Sequence, residues 1–107
     1  MIAVTKPGRR TVTVGIVAIV KVKEGSESGF EEAALRLAEA VNSDEPGCLL
    51  YTVNRAEDPL TYVFLERYAD EEAVAAHRAS DHYRSIGGAI GAFMDGRPEV
   101  MVVTELG

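Results

Sequence analysis

The chain has 107 residues, with 11 Lys+Arg against 17 Asp+Glu, two His, one Cys and no Trp. That length sets one domain, which buries roughly 65% of its unfolded surface, and 47% hydrophobic with 26% charged residues excludes disorder, collagen and coiled coil as the main state. A net charge of −6 argues against nucleic acid as a partner, because polyphosphate affinity comes mostly from Lys and Arg.

Lys6, Arg9 and Arg10 supply three of the eleven cations, so the chain from Thr11 onward holds eight basic against seventeen acidic groups and carries −9. Residues 1–10 read as a flexible N-terminal arm, and 11–107 as the single domain. The arm places Lys6, Pro7 and Gly8 where the apolar run of an export signal would sit. The longest apolar stretch, Ile16 to Val20, is too short for a bilayer, which takes about 20 residues. The expectation is a cytoplasmic protein with no membrane partner. Cys48 is alone, so no intrachain disulfide forms.

In chain order, Thr11 to Lys23 predicts a long strand rich in β-branched residues, with Val12, Val14, Ile16, Ala18, Val20 and Val22 on one parity. Ser28-Gly29-Phe30-Glu31 has the form of a capping box. The helix it opens runs to about Ser43, with Phe30, Ala33, Ala34, Leu37, Ala38 and Val41 as one apolar stripe. Glu45-Pro46-Gly47 ends it. Cys48 to Arg55 and Thr61 to Tyr68 are strands, joined by a loop containing Asp58-Pro59. Asp70 caps a helix to about Arg78, with Glu71 and Glu72 at its positive end. A second short helix, Tyr83 to Phe93, precedes the Asp95-Gly96-Arg97-Pro98 turn and a last strand from Glu99 to Leu106. The order β-α-β-β-α-β predicts an α+β, ferredoxin-like split βαβ fold, with an antiparallel four-stranded sheet and helices on one face.

The strands are apolar on both parities. Val17 and Ile19 oppose Ile16 and Ala18, Val63 and Leu65 oppose Tyr62 and Phe64, and Met101 and Val103 oppose Val100 and Val102. A sheet with one wet face alternates instead. Helices cover one face, and the other leaves an apolar patch too large for a monomer. A homodimer through the sheet faces is the expectation.

Candidate chemistry centres on His77, beside small alanines at helical spacing, and on Glu66, in line with Tyr62 and Phe64. Tyr51, Phe64 and Phe93 are candidate aromatic walls, and His82 and Tyr83 candidate polar contacts. The bland alternatives are a hydrogen-bonded core His, a solvated strand-end Glu66, a surface His82 and aromatic residues that simply fill the core. Cys48 reads as a small core residue. His77 and His82 are five apart, which does not place them on one helical face, and no Cys-x-x-Cys is present. No phosphate loop, nucleophile elbow, flavin or nicotinamide signature appears. No metal and no cofactor is expected.

Glu45-Pro46-Gly47-Cys48-Leu49-Leu50-Tyr51, the run Phe64-Leu65-Glu66-Arg67-Tyr68-Ala69-Asp70-Glu71-Glu72-Ala73, then His77 and Ser80-Asp81-His82-Tyr83 resemble the antibiotic biosynthesis monooxygenase family, which includes quinol monooxygenases. The likeness covers Val14 to about Leu106. It implies a dimeric α+β barrel and a pocket between sheet and helices holding Glu66 and His77, with Tyr51, His82 and Tyr83 as neighbours. Haem-degrading relatives pair a His with a Trp and a first-strand Asn, and this chain has neither.

The resemblance implies oxygenation without metal or flavin, acting on a quinol, phenol or polycyclic aromatic substrate by deprotonation and direct reaction with O₂. His77 is the expected base, since imidazole titrates near neutral pH, and Glu66 the expected carboxylate orienting it. The alternative is a small-molecule isomerase or a non-catalytic aromatic-ligand-binding dimer using the same pocket.

Overall fold

A computed structural model describes residues 12–107. The expected arm, residues 1–10, lies outside the described residues. Seven elements follow in order: β1 (Val14–Lys21), α1 (Glu27–Asp44), β2 (Cys48–Arg55), β3 (Thr61–Tyr68), α2 (Glu71–Ala79), α3 (Asp81–Gly91) and β4 (Glu99–Thr104). The strands form one antiparallel sheet in the order β2-β3-β1-β4. This is the ferredoxin-like α+β arrangement predicted from the element order.

Register decides which side chains share a face. Ile16 sits opposite Glu66 and Val102, Ala18 opposite Phe64 and Val100, Val20 opposite Tyr62, and Tyr51 opposite Glu66. On β1, β2 and β3 this parity meets the helices, whereas on β4 Val100 and Val102 remain exposed. The α1 stripe of Phe30, Ala33, Ala34, Leu37 and Val41 is buried and packs with Val20, Val22, Tyr51, Tyr62 and Phe64 into one core. Phe30 is fully enclosed and lies 4.5 Å, centroid to centroid, from the Tyr62 ring. Burying an aromatic of this size contributes about 1.5–3 kcal/mol.

The opposite parity stays open. Leu65, Met101 and Val103 are exposed, as are Leu49 and Leu50 on the edge strand, and Val17, Ile19 and Val63 are half-buried. Among the described residues no helix is long and apolar enough to cross a membrane.

Several expected boundaries move. The first strand is shorter than Thr11–Lys23, because beyond Lys21 only an isolated Val22–Met94 bridge continues it. Lys23 N–H turns instead to the Phe93 carbonyl. Helix α1 starts at Glu27, so the Ser28–Glu31 capping box does not form; Ser26 occupies the cap without a side-chain hydrogen bond. Glu31 is drawn outward, accepting from Tyr62 Oη at 2.5 Å and from Arg55 at 2.7 Å. Helix α3 begins at Asp81 rather than Tyr83, because the Ser80 hydroxyl accepts from Tyr83 N–H. Strand β4 ends at Thr104 rather than Leu106.

Candidate active site

Between the sheet and the helices lies a cavity of about 320 Å³. The sheet supplies Ile16, Ala18, Val20, Tyr51, Phe64, Glu66 and Val100. Helix α2 supplies His77 and Arg78, and α3 supplies Tyr83, Arg84, Gly87, Gly88 and Ile90. The volume lies at the lower end of small-molecule sites. Of the residues singled out in the sequence, Tyr51, Phe64, Glu66, His77 and Tyr83 meet here.

His77 is 4% exposed. Its ring lies 5.5 Å from Tyr51, 5.4 Å from Tyr68 and 4.8 Å from Tyr83, centroid to centroid. Three aromatic rings thus pack around the imidazole and separate it from solvent.

The carboxylate that holds His77 is Glu45, not Glu66. His77 Nδ1 lies 2.9 Å and 3.1 Å from the two Glu45 oxygens. An ionised carboxylate only accepts, so Nδ1 carries a proton, and in the neutral ring Nε2 then keeps its lone pair. Among the described residues nothing hydrogen-bonds Nε2, and no buried side-chain nitrogen lacks a partner. Nε2 is therefore the nitrogen His77 offers the cavity it lines.

His82 reaches the same carboxylate, with Nε2 2.5 Å from Glu45 Oε2. It does not line the cavity, which corrects its expected place as a substrate contact. Two neighbouring helices, rather than one helical face, unite the two histidines. Ser80 makes the junction: it is at once the C-cap of α2 and the N-cap of α3. Its hydroxyl donates to the His77 carbonyl at 2.7 Å and accepts from Tyr83 N–H at 3.2 Å.

Glu45 is held on the other side by a close approach. A Cβ on Gly47 would stand 2.7 Å from the Ala73 methyl, so only glycine lets this turn dock on the start of α2. Ala69 N–H donates to the Gly47 carbonyl at 2.9 Å.

Glu66 accepts from the fully buried Tyr68 Oη at 2.7 Å. Burial raises its pKa above the usual 4.5, with the Tyr68 hydrogen bond opposing. Burial likewise pushes the Tyr51 and Tyr68 hydroxyls upward, so both remain proton donors at neutral pH. A carboxyl whose folded pKa exceeds its unfolded one binds the proton more tightly when folded. Stability from this group is then full below the unfolded value and falls as pH rises through the folded one. Glu66→Gln keeps an acceptor for Tyr68 without the buried charge. It is expected to melt above the parent at about pH 8 and to lose that advantage by about pH 4; thermal melts across this range measure it.

Phe93 also leaves the expected set. It does not line the cavity and packs so tightly on Gly29 that a Cβ there would stand 2.7 Å from its ring. It is a core residue, the bland alternative. Cys48 is similarly inert, with burial pushing its thiol up to about 11.

Glu45, Arg78 and Arg84 were not picked out in the sequence. For Glu45 a signal exists: α1 ends in Asp44 and Glu45 with no basic residue in its last turn. Carboxylates at the negative end of a helix dipole are unfavourable locally, and such a violation points to a partner elsewhere.

A ferredoxin-like sheet with a helix-roofed aromatic cavity and a carboxylate-held histidine defines a class of small α+β pocket proteins. The sequence profile of the antibiotic biosynthesis monooxygenase family matches residues 13–87, and the chain belongs to that family. It is similar to a protein of Caulobacter crescentus CB15, provisionally described as an antibiotic biosynthesis monooxygenase, at 33% identity and a TM-score of 0.87, covering 91% of this chain and 92% of that one. A conserved protein of Methanosarcina mazei Go1 is 26% identical with a TM-score of 0.81, over 87% of this chain and 92% of that one. A Nitrosomonas europaea protein given the same provisional description shares the fold at 21% identity and a TM-score of 0.85, over 92% and 94%. No curated protein matches the chain.

Proposed function

We propose that the protein is a cofactor-independent monooxygenase of a quinol or phenol, acting by deprotonation and direct reaction with O₂ in the cavity. The observation that carries this reading is His77, its Nδ1 tied to Glu45 and its Nε2 free beside an aromatic-walled void. The volume of about 320 Å³ favours one or two fused rings over a larger polycycle.

Ground-state O₂ is a triplet and reacts slowly with closed-shell molecules, but an electron-rich anion can give it one electron. His77 Nε2 takes a proton from the substrate, and Glu45 stabilises the imidazolium. The anion passes an electron to O₂, and superoxide and substrate radical join through a C–O bond. The peroxide takes back the proton from His77. Loss of the remaining hydrogen from that carbon, as a proton, then breaks the O–O bond and water leaves. The balance is hydroquinone plus O₂ to hydroxyquinone plus water. In this reading Glu66 and Tyr83 hydrogen-bond substrate hydroxyls, and Tyr51 and Phe64 flank the ring.

A second copy of the chain completes the assembly in this reading. The open sheet face exposes Leu65, Met101 and Val103, contiguous apolar surface of the kind that marks an interface, and two such faces meeting give a dimeric barrel. The proposed setting is the cytoplasm.

The test is oxygen uptake with a panel of benzo- and naphthoquinols and anthrones, without added metal or flavin. Stoichiometric uptake and one oxygen atom in the product are expected. Conversion without O₂ uptake identifies an isomerase instead, and tight binding without conversion a ligand carrier.

Substrate size has its own test. Tyr83, Gly87 and Ile90 share the cavity-facing side of α3, and a Cβ on Gly87 meets nothing within 4 Å. Gly87→Ala is expected to stabilise the fold by about 0.5–1 kcal/mol through helix propensity. Gly87→Leu is expected to raise KM for a two-ring quinol at least tenfold, roughly the discrimination of one or two methylene groups, while sparing a one-ring quinol. Equal effects on both substrates place α3 away from the bound ring.

A further inference from the structure

We propose that Glu45, His77 and His82 form a binding site for one divalent transition-metal ion of the zinc or cobalt class, next to the cavity. The three donors come from three places in the fold: the turn after α1, the last turn of α2 and the first turn of α3. Their donor atoms all lie within 4.8 Å of one another. Their side chains are 9%, 5% and 16% exposed, so the cluster is enclosed rather than a surface coincidence.

The geometry is convergent. His77 Nδ1 and His82 Nε2 both aim at Glu45 Oε2, at 2.9 Å and 2.5 Å. Glutamate is the flexible member, and retreat of its carboxylate by about one bond length leaves room for bonds of about 2.0–2.2 Å to all three. Two imidazoles and one carboxylate suit borderline ions such as Zn²⁺ and Co²⁺. Calcium and magnesium want oxygen cages. Three protein ligands leave a fourth position open.

Charge adds a second argument. Glu45 and Glu66 bring two enclosed carboxylates to one region. Among the described residues no Lys or Arg pairs with Glu45, and only the two imidazoles lie within ion-pair distance of it. Buried carboxylates want an opposite charge, and a dication supplies it on the side away from the substrate.

Metal on His77 Nδ1 requires the lone pair of that nitrogen, so the ring proton moves to Nε2. The nitrogen facing the cavity then donates and no longer accepts. This consequence for turnover rests on the oxygenation reading, in which the metal is an inhibitor.

The experiment uses the full chain, stripped with a chelator and labelled with ¹⁵N-histidine, titrated with Zn²⁺. One ion per chain is expected, shifting the Nδ1 resonance of one histidine and the Nε2 resonance of the other, with a cobalt complex showing the absorption of a low-coordinate site. Glu45→Gln and His82→Asn, each checked for native circular dichroism, are expected to weaken binding at least tenfold. No binding at micromolar ion, binding through other nitrogens, or unchanged affinity in both folded variants overturns the site. Zn²⁺ is expected to suppress oxygen uptake, and stimulation would overturn the tautomer argument. A chain that takes up the ion as described but consumes no O₂ with any quinol leaves the site standing and defeats oxygenation instead.

Discussion

If the proposed oxygenation holds, His77→Asn is expected to lower O₂ consumption with quinols at least a hundredfold. An asparagine amide can donate to Glu45 from near the place of Nδ1–H, so the enclosed carboxylate keeps a partner. It offers the cavity no basic nitrogen. General-base catalysis contributes typically 10²–10⁴ in rate, and the variant isolates that factor. An oxygen electrode reads the rate, and circular dichroism with a thermal melt shows that the fold persists. A folded variant retaining more than about a third of parental turnover would remove His77 as the base.

Leu65→Glu is expected to split the proposed dimer. Leu65 lies at the centre of the open sheet face, opposite Val17 on β1 and Thr52 on β2. A carboxylate there must be dehydrated to enter an apolar interface, at a cost of several kcal/mol per copy. The dissociation constant should rise by about 10³ or more. In sedimentation at micromolar concentration the parent is expected at twice 11.5 kDa and the variant at 11.5 kDa. A parent that runs as a single copy disposes of the barrel.

The sheet was legible because its punctuation is local. Pro46-Gly47 and Asp58-Pro59 bracket β2 and β3, and their bounds, Cys48–Arg55 and Thr61–Tyr68, coincide with those expected. Helix starts were less so, since a hydroxyl or carboxylate with a distant partner forgoes the local cap. Glu31 prefers Tyr62 and Arg55. In the site, residue type identified His77, Tyr51 and Phe64, whose positions on the inward parity follow from strand alternation and helical spacing. The partner of His77 was not legible. Glu45 stands 32 positions upstream, beyond the reach of any helical spacing rule, and its arrival depends on the close contact of Gly47 with Ala73. His82 was misplaced for a related reason: spacing along one helix says nothing about two helices that meet at an angle.

Ser80 is where they meet, closing one helix and opening the next. A joint of a single residue has no slack for changes in chain length. One inserted amino acid between Ser80 and His82 would swing every side chain of α3 by about 100°, carrying His82 off Glu45 and Tyr83 off the cavity together. The loop at residues 56–60, far from both, can lengthen without moving either. Insertions and deletions compatible with this pocket are thus confined to the sheet's distal turns, and the corner between the last two helices must keep its count.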